Sequence, residues 1–272
     1  MPTRNHRAYE HLSEQPWARM LIAEIDQRGG VSNRANEGDL FTMRFGWEIS
    51  LACPTGNVTY EFAAGVGNST VDFRLETRGR NWLFECMAIN ESLTTQMMWK
   101  SSREEIAPGI FASGASFNGR SDDIRERPEA ELHRVSQLMW QHIWQIEKGR
   151  YRKFPQRTNA SANVLVVSMA GLEGIGDPDQ YHCREIAFGS ATVPVECRSA
   201  ELLGFFNRSN NDPGAVAMRE RVDLLVFIDD VHGIYDDARI RRSCYVVANP
   251  SSEVWITAEY PLRIGGAPVE EQ

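Results

Sequence analysis

Short apolar runs, separated by polar or glycine-containing turns, recur along the chain and predict β-strands. They fall at 58–62, 70–75, 82–89, 163–169, 223–228 and 244–248, with a further candidate at 254–258. The runs at 163–169, 223–228 and 244–248 are almost free of polar residues. A run of that kind is typical of a strand buried on both faces.

Apolar residues spaced three to four positions apart predict helices at 7–28 and 129–148, and 91–100 also has helical character. The polar stretch 101–128 predicts a long loop. Strands interleaved with helices indicate an α/β fold with a central mixed β-sheet flanked by helices. We expect one domain over 1–272, with strands at 223–258 extending the sheet.

The segment 39–52 has two conflicting patterns. Apolar residues at every second position from 41 to 51 predict a strand, whereas Leu40, Met43, Trp47 and Leu51 form a helical stripe. The sequence Pro54-Thr55-Gly56 ends the element in either case. Periodicity alone leaves both structures open.

Composition narrows the classes of protein that the chain can belong to. Of its 272 residues 42% are hydrophobic, and the formal net charge is −8. This charge argues against a surface coated with cations for nonspecific nucleic-acid binding, although a small basic cleft is compatible with it. Five scattered cysteines without a CxxC pair suggest no zinc site and indicate a reducing compartment. With a polar N-terminus and no apolar run of about 20 residues, we expect a cytoplasmic protein without a membrane span.

Two carboxylates lie on adjacent predicted strands. Asp72, taken alone, is most simply a solvated residue, but Glu85 lies inside the apolar run 82–89. A buried carboxylate is costly unless it is paired, hydrogen-bonded or bound to a metal. Two acids close together repel unless a cation lies between them, and their oxygen ligands suit Mg²⁺ or Mn²⁺.

The stretch GVGNSTVDFRLETRGRNWLFECMA, residues 65–88, resembles the core of the PD-(D/E)XK nuclease-like superfamily. The resemblance implies a restriction-endonuclease-like core over about 38–170, with Asp72 and Glu85 as catalytic metal ligands for Mg²⁺ or Mn²⁺. It implies a helix at 39–52, from which Glu48 would be a further metal ligand. The resemblance thus favours the helix over the strand for this segment.

The chain departs from the family motif at Met87, where the family has a lysine that positions the attacking water. Three explanations are open: the lysine has migrated, the site binds metal but catalyses poorly, or the fold persists as a binding module. Migrated candidates are Lys100, Lys148 and Lys153. We take Lys100 as the catalytic candidate.

Nucleic-acid contacts are predicted on and after the helix at 129–148. Gln137 and Gln141 form a polar stripe, and Arg152 and Lys153 follow Tyr151 in a basic cluster. The simpler interpretation of both features is a solvated surface. A homodimer through an edge strand is compatible with the sequence, but nothing in the sequence specifies one.

Three functional hypotheses follow from these residues. The first is a metal-dependent nuclease that hydrolyses phosphodiester bonds, and the second is a degenerate relative that binds nucleic acid or a protein partner without cleavage. The third is an α/β domain whose buried acids are only structural. A lysine ammonium that enters the site of Asp72 and Glu85 would count against the second hypothesis.

Overall fold

The computed structural model describes residues 3–66, 69–77, 79–90, 103–107, 110–113, 128–171, 180–189, 203–229, 243–252 and 261–262. Within these ranges the α-helices are α1 (Arg4–Ser13), α2 (Arg19–Gln27), α3 (Glu37–Ala52), α4 (Pro128–Ile143), α5 (Gln180–Phe188) and α6 (Pro213–Arg221). Among the described residues, no helix is long and apolar enough to span a membrane.

Six of the strands form the central sheet. They are β1 (Asn57–Val66), β2 (Ser69–Thr77), β3 (Arg80–Asn90), β8 (Ser161–Gly171), β9 (Leu224–Asp229) and β10 (Ser243–Ala248). Two short hairpins complete the described strands, formed by β4 (Arg103–Ala107) with β5 (Ile110–Ser113) and by β6 (Trp144–Gln145) with β7 (Arg150–Tyr151).

The central sheet is mixed, which confirms the predicted α/β class. Its strand order is β1-β2-β3-β8-β9-β10. The strands β1, β2 and β3 form an antiparallel meander, β3 and β9 both run parallel to β8, and β10 is antiparallel to β9. The strands β9 and β10 continue the sheet beyond β8. The candidate strand at 254–258 lies outside the described residues.

Each face of the sheet is covered by its own apolar layer. Alternation along β8 sends Val164 and Val166 into the layer that contains α1, α2 and α3, and sends Leu165 and Val167 into the layer that contains α4, α5 and α6. All four side chains are fully buried. This two-sided burial is what the uninterrupted apolar run at 163–169 predicts.

The segment 39–52 is helical, as the resemblance favoured, and forms most of α3. Seven consecutive residues from Leu40 to Gly46 are buried, because α3 packs between the sheet and α1. A helix covered on more than one side has apolar residues beyond a single stripe. That explains the misleading alternation in the sequence.

Two predicted helices differ from the observed ones. The segment 7–28 is divided by a short 3-10 turn, Pro16–Ala18, since proline lacks the N–H that a continuous helix requires. Helix α4 ends at Ile143 rather than at 148, because the chain then enters the β6–β7 hairpin. The loop predicted at 101–128 contains the β4–β5 hairpin, and the helix predicted at 91–100 lies outside the described residues.

Replacement of Gly46 by alanine should destabilise the fold. An added Cβ would lie 2.9 Å from Cζ of Phe73, a buried ring under α3. Overpacking costs about 1–3 kcal/mol, which exceeds the gain of about 1 kcal/mol in helix propensity. Urea denaturation measures the difference, with Gly38→Ala in the same helix as the control because nothing lies near its added Cβ. Equal stability of both variants would contradict the packing of α3 on β2.

Candidate functional site

Asp72 lies where β2 and β3 separate. Backbone pairing of these strands runs from Thr77 opposite Arg80 to Phe73 opposite Phe84. At the next position the Asp72 side chain accepts a hydrogen bond of 2.7 Å through Oδ2 from the backbone N–H of Cys86. The half-buried carboxyl group therefore occupies the gap between the two strands.

Glu85 supplies the second carboxylate and is buried, with only 2% of its side chain exposed. Alternation along β3 places it on the same face as Leu83 and Met87, toward the layer of α4. Its Oε1 lies 2.9 Å from Nζ of Lys153 and 2.6 Å from Nε2 of His142. One carboxylate oxygen thus contacts two nitrogen donors.

Lys153 reaches the site through the hairpin that follows α4. The N–H of Arg152 donates a hydrogen bond of 2.7 Å to the carbonyl of Ile143, which folds the end of the hairpin back onto the end of the helix. The Lys153 ammonium also donates to the Thr70 carbonyl at 2.8 Å. It therefore joins β2 to β3 at the point where their backbone pairing ends.

Burial and the negative charge of Glu85 raise the pKa of Asp72 well above its usual value. The hydrogen bond from Cys86 and the charge of Lys153 oppose this shift. Burial and the two carboxylates also raise the pKa of the Cys86 thiol. A thiol kept protonated in this way is a poor nucleophile, so the chemistry of the site rests on its carboxylates and on Lys153.

The two acids fit a hard divalent cation as a partial ligand set. Oε2 of Glu85 is buried and has no hydrogen-bond partner among the residues that the structure describes. The charge of Glu85 disfavours ionised Asp72 when no cation lies between them. No group of three or more His, Cys, Asp or Glu side chains suited to a metal occurs in the described ranges. Mg²⁺ commonly takes one or two carboxylates and completes its shell with water and substrate phosphates, so two acids are sufficient for it.

Glu48 lies on α3, and its Oε1 is 2.5 Å from Nη2 of Arg4 in α1. The apolar residues of α3 belong to the layer opposite the one that Glu85 faces. The ion pair between Glu48 and Arg4 joins α3 to α1 rather than linking Glu48 to Glu85. The metal role of Glu48 stays a prediction.

The other predicted site residues are distributed differently. Gln137 and Gln141 are exposed on α4, and the exposed Arg152 lies close to Gln141, with its Nη1 3.5 Å from the Gln141 carbonyl. Lys153, predicted both as a nucleic-acid contact and as a candidate for the migrated lysine, touches Glu85. Lys100 lies outside the described residues, so its catalytic role stays a prediction.

His142 is the site residue that sequence reasoning missed, because it has no histidine partner at metal-ligand spacing. The signal was its position on α4: it follows the buried Val135 and Met139 at helical spacing, on the apolar face. A histidine on that face must find a polar partner when it packs. It finds Glu85.

Comparison with models of known protein families, with curated proteins and with solved structures gave no match. The resemblance to the nuclease-like superfamily therefore rests on the sequence motif alone and stays a prediction.

Replacement of Asp72 by asparagine should stabilise the metal-free protein at neutral pH. A carboxyl whose pKa is raised in the folded state binds more protons there than in the unfolded state, so stability falls as pH rises from the unfolded pKa through the folded one. Asparagine does not titrate, so it removes this loss of stability with rising pH. Its side-chain oxygen can still accept the hydrogen bond from the Cys86 N–H. Thermal denaturation in EDTA between pH 4 and 8 should show a higher and flatter melting profile than wild type. The exposed Glu147→Gln is the control, and a lower melting point for Asp72→Asn at pH 7 would contradict the account.

Proposed function

We propose that the protein is a divalent-metal-dependent, nuclease-like hydrolase of nucleic-acid phosphodiester bonds, with a restriction-endonuclease-like core. The observation that carries the proposal is the Lys153 ammonium 2.9 Å from the buried Glu85 carboxylate, close to Asp72. Two acids and a lysine are the three types of residue that the family motif brings together. The class of substrate follows from the resemblance.

Asp72 and Glu85 would hold Mg²⁺ or Mn²⁺. A bound ion of this kind lowers the pKa of coordinated water and stabilises negative charge on a leaving oxygen. In the reaction a water oxygen joins phosphorus, one phosphorus–oxygen ester bond breaks, and the products are a phosphomonoester and an alcohol. The two carboxylates would hold the ion beside the gap between β2 and β3.

Lys153 takes the place of the lysine that the motif lacks at Met87. The thioether of Met87 is uncharged and packs with the apolar layer around α4. The side chain of Lys153 is 22% exposed, so the ammonium contacts the buried carboxylate while part of the side chain meets solvent. From there it can orient a water molecule and stabilise charge that develops on a phosphoryl oxygen.

A second candidate is a binding module of the same fold without cleavage. Lys153 and His142 both contact Glu85, so the carboxylate has partners before any metal binds. Together with Met87 this favours a site that is stable without an ion. The entry of a lysine ammonium into the site favours the enzyme over the module.

Cleavage that depends on Asp72, Glu85 and Lys153 is the direct test. With Mg²⁺ or Mn²⁺, we expect wild type to cut labelled single- or double-stranded DNA or RNA, and Asp72→Asn or Glu85→Gln to abolish cutting. Lys153→Ala should lower kcat about 10²–10³-fold, as does loss of one donor to a developing oxyanion.

The chain offers a matched control for this assay, since Lys148 is an exposed lysine of the same hairpin. Lys148→Ala should cut like wild type, and Lys100→Ala tests the candidate favoured by sequence. Cutting that survives both acid substitutions would show another site or a contaminant. No cutting of any substrate, together with no metal binding, would leave the binding module as the function.

Return of the lysine to its motif position should restore part of the activity. Met87 lies two positions after Glu85 on the same strand face, so a lysine there would reach the same carboxylate. We expect the double variant Lys153→Met with Met87→Lys to have a kcat/KM more than tenfold higher than that of the single variant Lys153→Met, measured in the same assay. The single Met87→Lys variant is the control for its effect on folding. Failure of a well-folded double variant would argue against a migrated lysine.

A further inference from the structure

Of the described residues that contact Glu85, His142 is used by neither the family motif nor the proposed reaction. It lies in the last turn of α4, and its Nε2 is 2.6 Å from Oε1 of Glu85. Its side chain is 32% exposed, whereas that of Glu85 is 2% exposed. The ring therefore lies between the buried carboxylate and solvent.

The two oxygens of Glu85 are used unequally. Oε1 contacts both Nε2 of His142 and Nζ of Lys153, whereas Oε2 is buried and has no hydrogen-bond partner within the described part of the chain. Two contacts to one oxygen, from donors on different elements, limit rotation of the carboxylate about its terminal torsion. The unpartnered oxygen is then presented in one direction.

Charge balance alone does not require the histidine. The Lys153 ammonium already supplies a positive charge at 2.9 Å, and the His142 ring adds a further contact of 2.6 Å to the same oxygen. A donor that adds direction to a carboxylate ligand is characteristic of the partners that surround metal ligands in proteins. The geometry is that of a support for Glu85.

We propose that His142 is a positioning residue that holds Oε1 of Glu85 and so directs Oε2 toward a divalent cation. This inference rests on the proposed function, because it assumes that Glu85 binds the ion. His142 acts through Glu85 and does not itself contact the metal or the substrate.

Mn²⁺ binding to the metal-free protein tests the proposal without an activity assay. Calorimetry would compare wild type with His142→Gln, whose amide nitrogen can take the place of Nε2, and with His142→Phe and His142→Asn, which cannot reach Oε1. Loss of a group that orients a ligand weakens metal affinity about 10–100-fold. We expect that loss for Phe and Asn and near wild-type affinity for Gln.

His133 provides the matched control on the same helix. It is exposed, and its Nε2 lies 3.0 Å from Nε2 of Gln137 rather than near Glu85. His133→Phe and His133→Asn should bind Mn²⁺ like wild type. Melting curves in EDTA identify a variant that fails to fold, and the polar Asn variant keeps the test valid if Phe disturbs packing.

The outcomes separate this inference from the proposed hydrolysis. Wild type that binds Mn²⁺ with unchanged affinity in His142→Phe and His142→Asn overturns the positioning role alone. Weakened binding in these variants, restored by Gln, without cleavage of any substrate supports positioning and rejects the nuclease. Wild type that binds no Mn²⁺ overturns both.

Discussion

A carboxylate buried in an apolar layer costs several kcal/mol unless donors and positive charge surround it. Glu85 imposes this constraint on the centre of the molecule. Its partners come from the last turn of α4 and from the residue that leaves the β6–β7 hairpin, so the buried charge ties both to β3. The end of α4, the tight hairpin and the opening between β2 and β3 are all placed around one side chain.

The two layers of the sheet consequently have different characters. On the side of α1 to α3, β2 and β3 contribute aromatic rings such as Phe73 and Phe84, and Phe45 of α3 packs against both. On the other side β3 contributes Glu85, and the carboxylate of Asp72 lies in the gap between the two strands. One layer holds the sheet together by apolar packing, and the other gives up part of that packing to polar contacts. Buried polar groups of this kind are a common mark of a functional site.

Local patterns in the sequence are sufficient to predict most of the strands and helices, but they do not predict which residues meet at the site. The apolar run at 163–169 predicts β8 because burial on both faces leaves a direct trace in composition. The partner of Glu85 leaves no such trace, since Lys153 is 68 positions away and reaches it only through the turn after Ile143. With lysines at 100, 148 and 153, no local pattern distinguishes one from another. The sequence gives only a weak signal for His142, which is a polar residue on the apolar face of a helix. Its partner, Glu85, becomes apparent only in the tertiary structure.

The backbone beside Lys153 bears on whether the lysine matters for function or for charge balance. Phe154 has a φ of 60°, a conformation that costs a bulky residue about 1–3 kcal/mol and persists only where surrounding packing enforces it. Its ring is fully buried, which fixes the turn and with it the direction of the preceding lysine. A lysine needed only to neutralise Glu85 could approach from many backbone positions, including that of Met87, without such strain. Unfavourable backbone conformations cluster at functional sites, and this one fixes the direction of the ammonium that the proposed chemistry uses.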